Sequence, residues 1–304
     1  MPTDRAERAV RPVTDADMPQ LFLAADRASL DAQARFVNGT RLRLALVVLS
    51  ALLTVTAWRV GSPEIDVLAV GSTVLFVGAL VVEGLLWSAR PDRTWYDARA
   101  VAESAKTLAW KFAVRGEPFL DHGVSEADAT RRLVERLEEV RGRFQDLDLA
   151  PVDAESVTAW MHDERRARWE DRRQLYLIER IRQEKAWYAD RARYNQRRSS
   201  QWRGVLVSLE LLGVVASLLA AFVDDLPLIA PALAAMVGAG AAWMETKQHQ
   251  VNARAYTAAV ADLAQAEAKL EVAASEHEWA KEVRNAEDAI SREHTLWLAS
   301  RAEL

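Results

Sequence analysis

The chain has no cysteine in its 304 residues. Disulfides, thiolate nucleophiles and Cys-based zinc sites are thereby excluded, and a reducing compartment suits it. Histidine is scarce too, with five scattered copies. Glycine and proline leave two long stretches untouched, residues 153–203 and 245–304. The most informative absence is charge. Residues 44–58 and 226–244 contain no Asp, Glu, Lys or Arg, and 67–87 and 204–223 contain one acid each, Glu83 and Glu210. The net charge of −5 offers no basic surface for nucleic acid, so no such partner is expected. The first forty residues are polar and lack the apolar core of a cleaved signal peptide, so none is expected. Residues 1–14 are expected to be disordered.

What is present is two populations of sequence. A mean hydropathy of −0.12 averages four apolar windows with dense charge elsewhere. About 20 helical residues rise roughly 30 Å, the thickness of a hydrocarbon core. The windows are apolar all round, whereas a helix of a soluble bundle keeps a polar stripe. The expectation is an all-α integral membrane protein with four transmembrane helices, over 43–60, 65–88, 204–223 and 226–244. GSPEID joins the first pair, and Asp224, Asp225 and Pro227 join the second. Turns this short make antiparallel helical hairpins. Arg41, Arg43, Arg90, Arg93, Arg197, Arg198, Arg203 and Lys247 flank the opposite ends of the windows. The positive-inside rule then puts both turns outside, and both termini and the middle region in the cytoplasm. Trp58, Trp87, Trp202 and Trp243 stand at the four boundaries as an interfacial belt.

Long helices flank the hairpins. Residues 153–203 read as one helix feeding the third window, and 245–304 as another. In the second, Trp279, Val283, Ala286, Ile290 and Trp297 recur at three- and four-residue steps, a coiled-coil-like packing stripe. Residues 95–115 make a further helix. Ser125 with Asp128 forms a capping box for one reaching about Phe144. No strand-rich region is expected. The plan of helix, hairpin and helix occurs twice, over 15–145 and 153–304, with 146–152 as linker.

Enzyme signatures fail, and neither cofactor nor metal is expected. His277-Glu278 begins a zincin pattern, but Lys281 stands where the second histidine belongs. Gly238 and Gly240 lie inside an apolar window with no strand before them, which rejects a nucleotide loop. Glu83 and Glu210 stand out instead, each roughly 7–10 Å from the inner end of its window at about 1.5 Å per residue. They read as carboxylates facing a cation path in an oligomer, or as acids that reach the head groups or pair with Arg90 or Arg203. Ala230, Ala234, Gly238 and Ala242 recur every four residues, a stripe that lets a helix approach closely, either within its hairpin or between copies. Near the end of the chain, AISREHTLWLASR offers Ile290 and Trp297 to one helix face, with Asp288 and Arg292 as an i,i+4 pair. This stretch reads as the lock of a helical bundle against Trp169, Tyr176, Ile181 and Trp187. The rival reading is a docking or sensing site, with Arg292 and His294 meeting a phosphate or a partner's acid.

LIERIRQEKAWYADRARYNQ, FVDDLPLIAPALAAMVGAGAAWMETKQHQ and AEDAISREHTLWLASR in the second half, with WYDARAVAESAKTLAWKFAVRGEPF in the first, resemble bacterial SLATT proteins. The chain looks like a tandem of two such two-helix units. The resemblance implies a membrane effector of a nucleotide-linked conflict system. Such an effector forms a homo-oligomeric pore or ion path in the bacterial inner membrane, beside a nucleotide-signalling partner or a nucleotide ligand. It transfers no catalytic residues. The alternatives are a non-conducting adaptor whose cytoplasmic bundle recruits a soluble partner, and a nucleotide-responsive receptor.

Overall fold

The computed structural model describes residues 11–62, 64–120, 125–223, 227 and 229–302, and of 292–302 it describes the backbone alone. The described chain is nearly all helix. A 3-10 turn, Asp15–Asp17, precedes α1 (Gln20–Leu53). Two-residue strands β1 (Arg59–Val60) and β2 (Ile65–Asp66) pair antiparallel, then come α2 (Val67–Ala89), α3 (Pro91–Ala113) and α4 (Glu126–Arg143). Helices α5 (Ala159–Arg166) and α6 (Trp169–Leu175) lead into a π-helical segment, Tyr176–Arg182. The chain continues as α7 (Gln183–Phe222), α8 (Ala230–Lys247), α9 (His249–Val272) and α10 (Glu276–Ala302).

Among the described residues, three helical stretches are long and apolar enough to cross a membrane: Gln20–Leu53, Val67–Ala113 and Trp169–Phe222. Their most apolar windows are only 17%, 6% and 6% buried within the chain. The fourth window behaves differently. It folds as α8, 18 residues that include Glu245 and Lys247, and α8 is not among those three stretches. Its alanines and glycines carry little apolar area, and residues 224–226 and 228 before it lie outside the described residues.

The long helices expected from the missing glycine and proline are interrupted. The expected helix over 153–203 begins only at Ala159, breaks at Ala167 and Arg168, and widens to a π turn at Tyr176. Ala167 is extended, with φ −63° and ψ 160°, and its N–H closes onto the Glu164 carbonyl. Helix α8 ends at Gln248 in the left-handed region, φ 47°. Each break is made by ordinary residues, so the absence of Gly and Pro does not reveal it. Ser125 caps α4 as expected, its Oγ accepting from Asp128 N at 3.2 Å, but the box is not reciprocal: the Asp128 carboxylate accepts from the Ser125 hydroxyl, at 2.8 Å, rather than from the Ser125 backbone N–H.

The chain divides into two compact units. The first gathers the chain up to Leu30, Thr94–Asp190 and everything from Ala255 onward, so its core combines helices from both halves of the sequence. On α3, Ala98, Val101, Ala102, Ala105, Ala109 and Phe112 are fully buried at three- and four-residue steps. Small residues on that face let neighbouring helices come close. Rings fill the rest: Trp110 meets Tyr176 edge-on at 5.7 Å, and Tyr176 meets Trp279 edge-on at 5.7 Å. Arg165, buried at the end of α5, donates to the Phe112 and Phe119 carbonyls at 2.9 Å each and lies over the Phe112 ring. It thereby satisfies an acceptor at the C-terminal end of α3.

The second unit comprises Asp31–Arg93 and Arg191–Arg254. Here α1 and α2 form an antiparallel hairpin whose contacts run in opposite directions along the two helices. Gly39 faces Leu86, Gly78 faces Leu46 and Gly71 faces Leu53. The hydroxyls of Ser50 and Ser72, both buried, meet at 2.9 Å. A hydrogen bond between helices is the glue expected where lipid gives no hydrophobic drive for association. The turn is closed by β1 and β2, and Asp66 caps α2 by accepting from Leu68 N and Ala69 N. In the other hairpin Gly240 is buried against Leu206 and Trp202, so α7 and α8 also run antiparallel.

Candidate functional site

Glu83 is placed on α2 by the hairpin register, opposite Arg43 of α1, and the two form an ion pair. The expected partners were Arg90 or Arg203. The hairpin register brings Arg43 to the depth of Glu83, whereas Arg90 sits at the helix end in the left-handed region. The pair is half-exposed and lies in a groove of about 440 Å³ with Val47, Phe76, Ala235 and Gly238 in its walls. The groove is otherwise apolar, so the pair is its polar element. Glu210 is exposed on α7 among Val207, Leu211 and Val214, with no hydrogen-bond or ion-pair partner among the described residues. The structure gives no contact between the two acids.

The small-residue stripe divides. Ala230 and Ala242 are half-buried, while Ala234 and Gly238 are exposed, and a side chain at Gly238 would meet nothing within 4 Å. Close packing within the hairpin occurs instead at Gly240, where an added Cβ would lie 2.6 Å from Leu206 Cδ2. Trp279 and Ile290 are both buried in the core of the first unit. Trp279 packs edge-on against Tyr176, one of the partners expected for this helix. The side chains of Arg292, His294 and Trp297 lie outside the described residues. Asp288, expected to pair with Arg292, accepts from Lys111 Nζ at 2.7 Å.

A buried polar network in the first unit escaped the sequence reading. Arg180 of the π segment and Glu287 of α10 are 1% and 0% exposed. They meet in a two-pronged pair, Nε to Oε1 at 3.0 Å and Nη2 to Oε2 at 2.8 Å. Tyr176 Oη donates to Glu287 Oε1 at 3.0 Å, and Thr107 Oγ1 of α3 donates to Oε2 at 3.0 Å. Glu287 thus receives four hydrogen bonds in a fully buried position, which a buried carboxylate requires. Burial first, and then the Glu287 carboxylate, push the Tyr176 hydroxyl well above its ordinary range. For Arg180 burial opposes the charge, but the Glu287 charge and hydrogen bonds outweigh it and raise its pKa further. A signal for this site was available. Glu287 falls four residues after Val283 and three before Ile290, an acid on the packing stripe. Among the described residues, no cluster of three His, Asp or Glu is placed to hold a metal ion.

Two family models cover nearly the whole chain. The model described as SMODS and SLOG-associating 2TM effector domain 3 matches residues 19–173, and that of domain 1 matches 176–297. The chain belongs to the SLATT family. It carries two SLATT domains in tandem, and SLATT domains are two-transmembrane effector domains. The chain thus carries two membrane effector domains, and among its described residues three helical stretches have membrane-spanning length and composition. The two SLATT matches meet at the π segment, which starts at Tyr176, and the linker expected at 146–152 falls inside the first match. No curated protein and no solved structure matches the chain.

Proposed function

We propose that this tandem SLATT protein assembles as a homo-oligomer in the bacterial inner membrane and opens an ion path there, as the effector of a nucleotide-linked conflict system. The observation that carries the reading is the uncovered apolar surface of the spans together with the acids set in it. Leu80, Leu85, Leu211 and Leu218 are more than half exposed, and surface of this kind is covered by lipid or by other copies. Glu210 stands in that surface without a partner among the described residues. A lone carboxylate in a bilayer costs about 2.5–3.5 kcal/mol at the helix centre, less toward the interface, and water or an opposing cation removes that cost. In an oligomer, repeated carboxylates make a ring that favours cations.

In this reading helix α8 serves as the fourth span, both hairpin turns face outside, and the helical bundle with both termini lies in the cytoplasm. The trigger, a nucleotide or a nucleotide-signalling partner, acts on that bundle. Reconstitution tests the proposal. Full-length protein in liposomes should dissipate an imposed potassium gradient, and Glu210→Gln should slow the dissipation at equal incorporation. Liposomes that hold their gradient at every protein density, with the trigger partner present, would favour a non-conducting adaptor. The self-contained core around Arg180 and Glu287 fits a docking platform of that kind.

A further inference from the structure

Three cations of the second unit converge with no acid paired to them among the described residues. Arg41 of α1 lies with Cζ 5.1 Å from the Trp243 ring centroid, and Lys247 Nζ lies 5.1 Å from the same ring. Arg198 of α7 lies 5.6 Å from the Tyr194 ring. The same tyrosine packs edge-on against His249, whose Nδ1 is 2.7 Å from Asn195 Oδ1. None of Arg41, Arg198 and Lys247 has an ion-pair partner among the described residues. Elsewhere this chain pairs its arginines readily, as Arg182 does with both Glu267 and Glu271. The aromatic faces attract the cations but do not neutralise them.

The surroundings make that excess charge costly. Asn195 is only 7% exposed, and Gln248 Oε1 is buried with no hydrogen-bond partner among the described residues. His249 is pushed below its ordinary pKa, by burial first and then by Lys247 and Arg198. The left-handed turn at Gln248 sets this geometry. It ends α8 just after Lys247 and starts α9 at His249, turning both side chains to the same end of the hairpin.

We propose that Arg41, Arg198 and Lys247, with Trp243 and Tyr194 as aromatic supports, form a phosphate-binding site at the end of the apolar helices. The site takes the phosphate of an anionic phospholipid head group or a free phosphate group, and the two sources share one chemistry. A basic cluster contributed by α1, α7 and α8 matches head-group recognition, and the place of Lys247 three residues beyond the last apolar window favours the lipid. The proposal is independent of whether the protein conducts ions.

The test uses full-length protein in a neutral detergent. Native mass spectrometry measures retention of phosphatidylglycerol against phosphatidylcholine, and thermal denaturation is followed with and without inorganic phosphate. A lipid site retains phosphatidylglycerol preferentially and shifts little with phosphate, whereas a free-phosphate site shows the reverse. Replacing Arg41→Gln and Lys247→Gln together should lower retention of the preferred anion on the order of tenfold. Lys247→Arg, which keeps the charge, should retain it. Equal retention of both lipids with no phosphate shift would overturn the proposal in the native protein alone. So would a doubly neutralised variant that folds and binds as the native chain does.

Discussion

Arg180 and Glu287 lie 107 residues apart in sequence and share two hydrogen bonds, at 3.0 and 2.8 Å, in a core where neither is more than 1% exposed. The pair joins the π segment to the final helix, and Thr107 on the same carboxylate adds α3. Removing one partner strands the other charge without water. Glu287→Gln should therefore cost about 3–5 kcal/mol, while replacing both members with apolar residues of similar size should recover most of that. Urea unfolding followed by tryptophan fluorescence measures this, since Trp110 and Trp279 lie in the same core. A single variant as stable as the native chain would show that the pair does not hold the bundle.

Acid should weaken the first unit. Burial raises the Glu267 pKa, but hydrogen bonds from Lys185 and Arg182 outweigh it, leaving the group below its ordinary 4.5. A carboxyl lowered on folding contributes stability above its unfolded value, and loses that contribution as pH falls through the folded one. Unfolding free energy should therefore decline as pH drops below 4.5. Glu267→Gln should flatten part of that decline, and an unchanged slope would count against the pairing.

Two glycines should respond oppositely to alanine. At Gly116 an added Cβ would lie 2.4 Å from Val283 Cγ1 and 3.0 Å from its Cβ. A β-branched neighbour cannot rotate away, so Gly116→Ala should cost about 1–3 kcal/mol. Gly142 lies in α4 with nothing within 4 Å of its added Cβ. There alanine should stabilise by about 0.5–1 kcal/mol through helix propensity. Matched melting curves of the two variants decide it, and shifts of the same sign would contradict the packing described.

The apolar hairpin of α1 and α2 was legible because a membrane span is written locally, as a run of residues without charge. The Ser125 cap was legible for the same reason, since its partner is three residues away. The Arg43–Glu83 pair was not, because it depends on a hairpin register that brings together positions forty residues apart. The π turn at Tyr176 and the left-handed break at Gln248 use no glycine or proline, so local composition passes over them. Glu287 looked like one more charge on a charged helix, and only its position on the Trp279–Ile290 stripe distinguished it. Trp279 and Ile290 themselves were found through their spacing, which survives as packing in the core.

The most direct test of the proposed conduction is membrane potential in bacterial cells after induced expression. It compares the native chain with a Glu83→Gln, Glu210→Gln variant present in the membrane at the same level. The account predicts depolarisation by the native chain, clearly weakened in the variant. Depolarisation of equal size in both would remove the carboxylates from the ion path. A stable potential with the native chain and its trigger both present would contradict conduction itself.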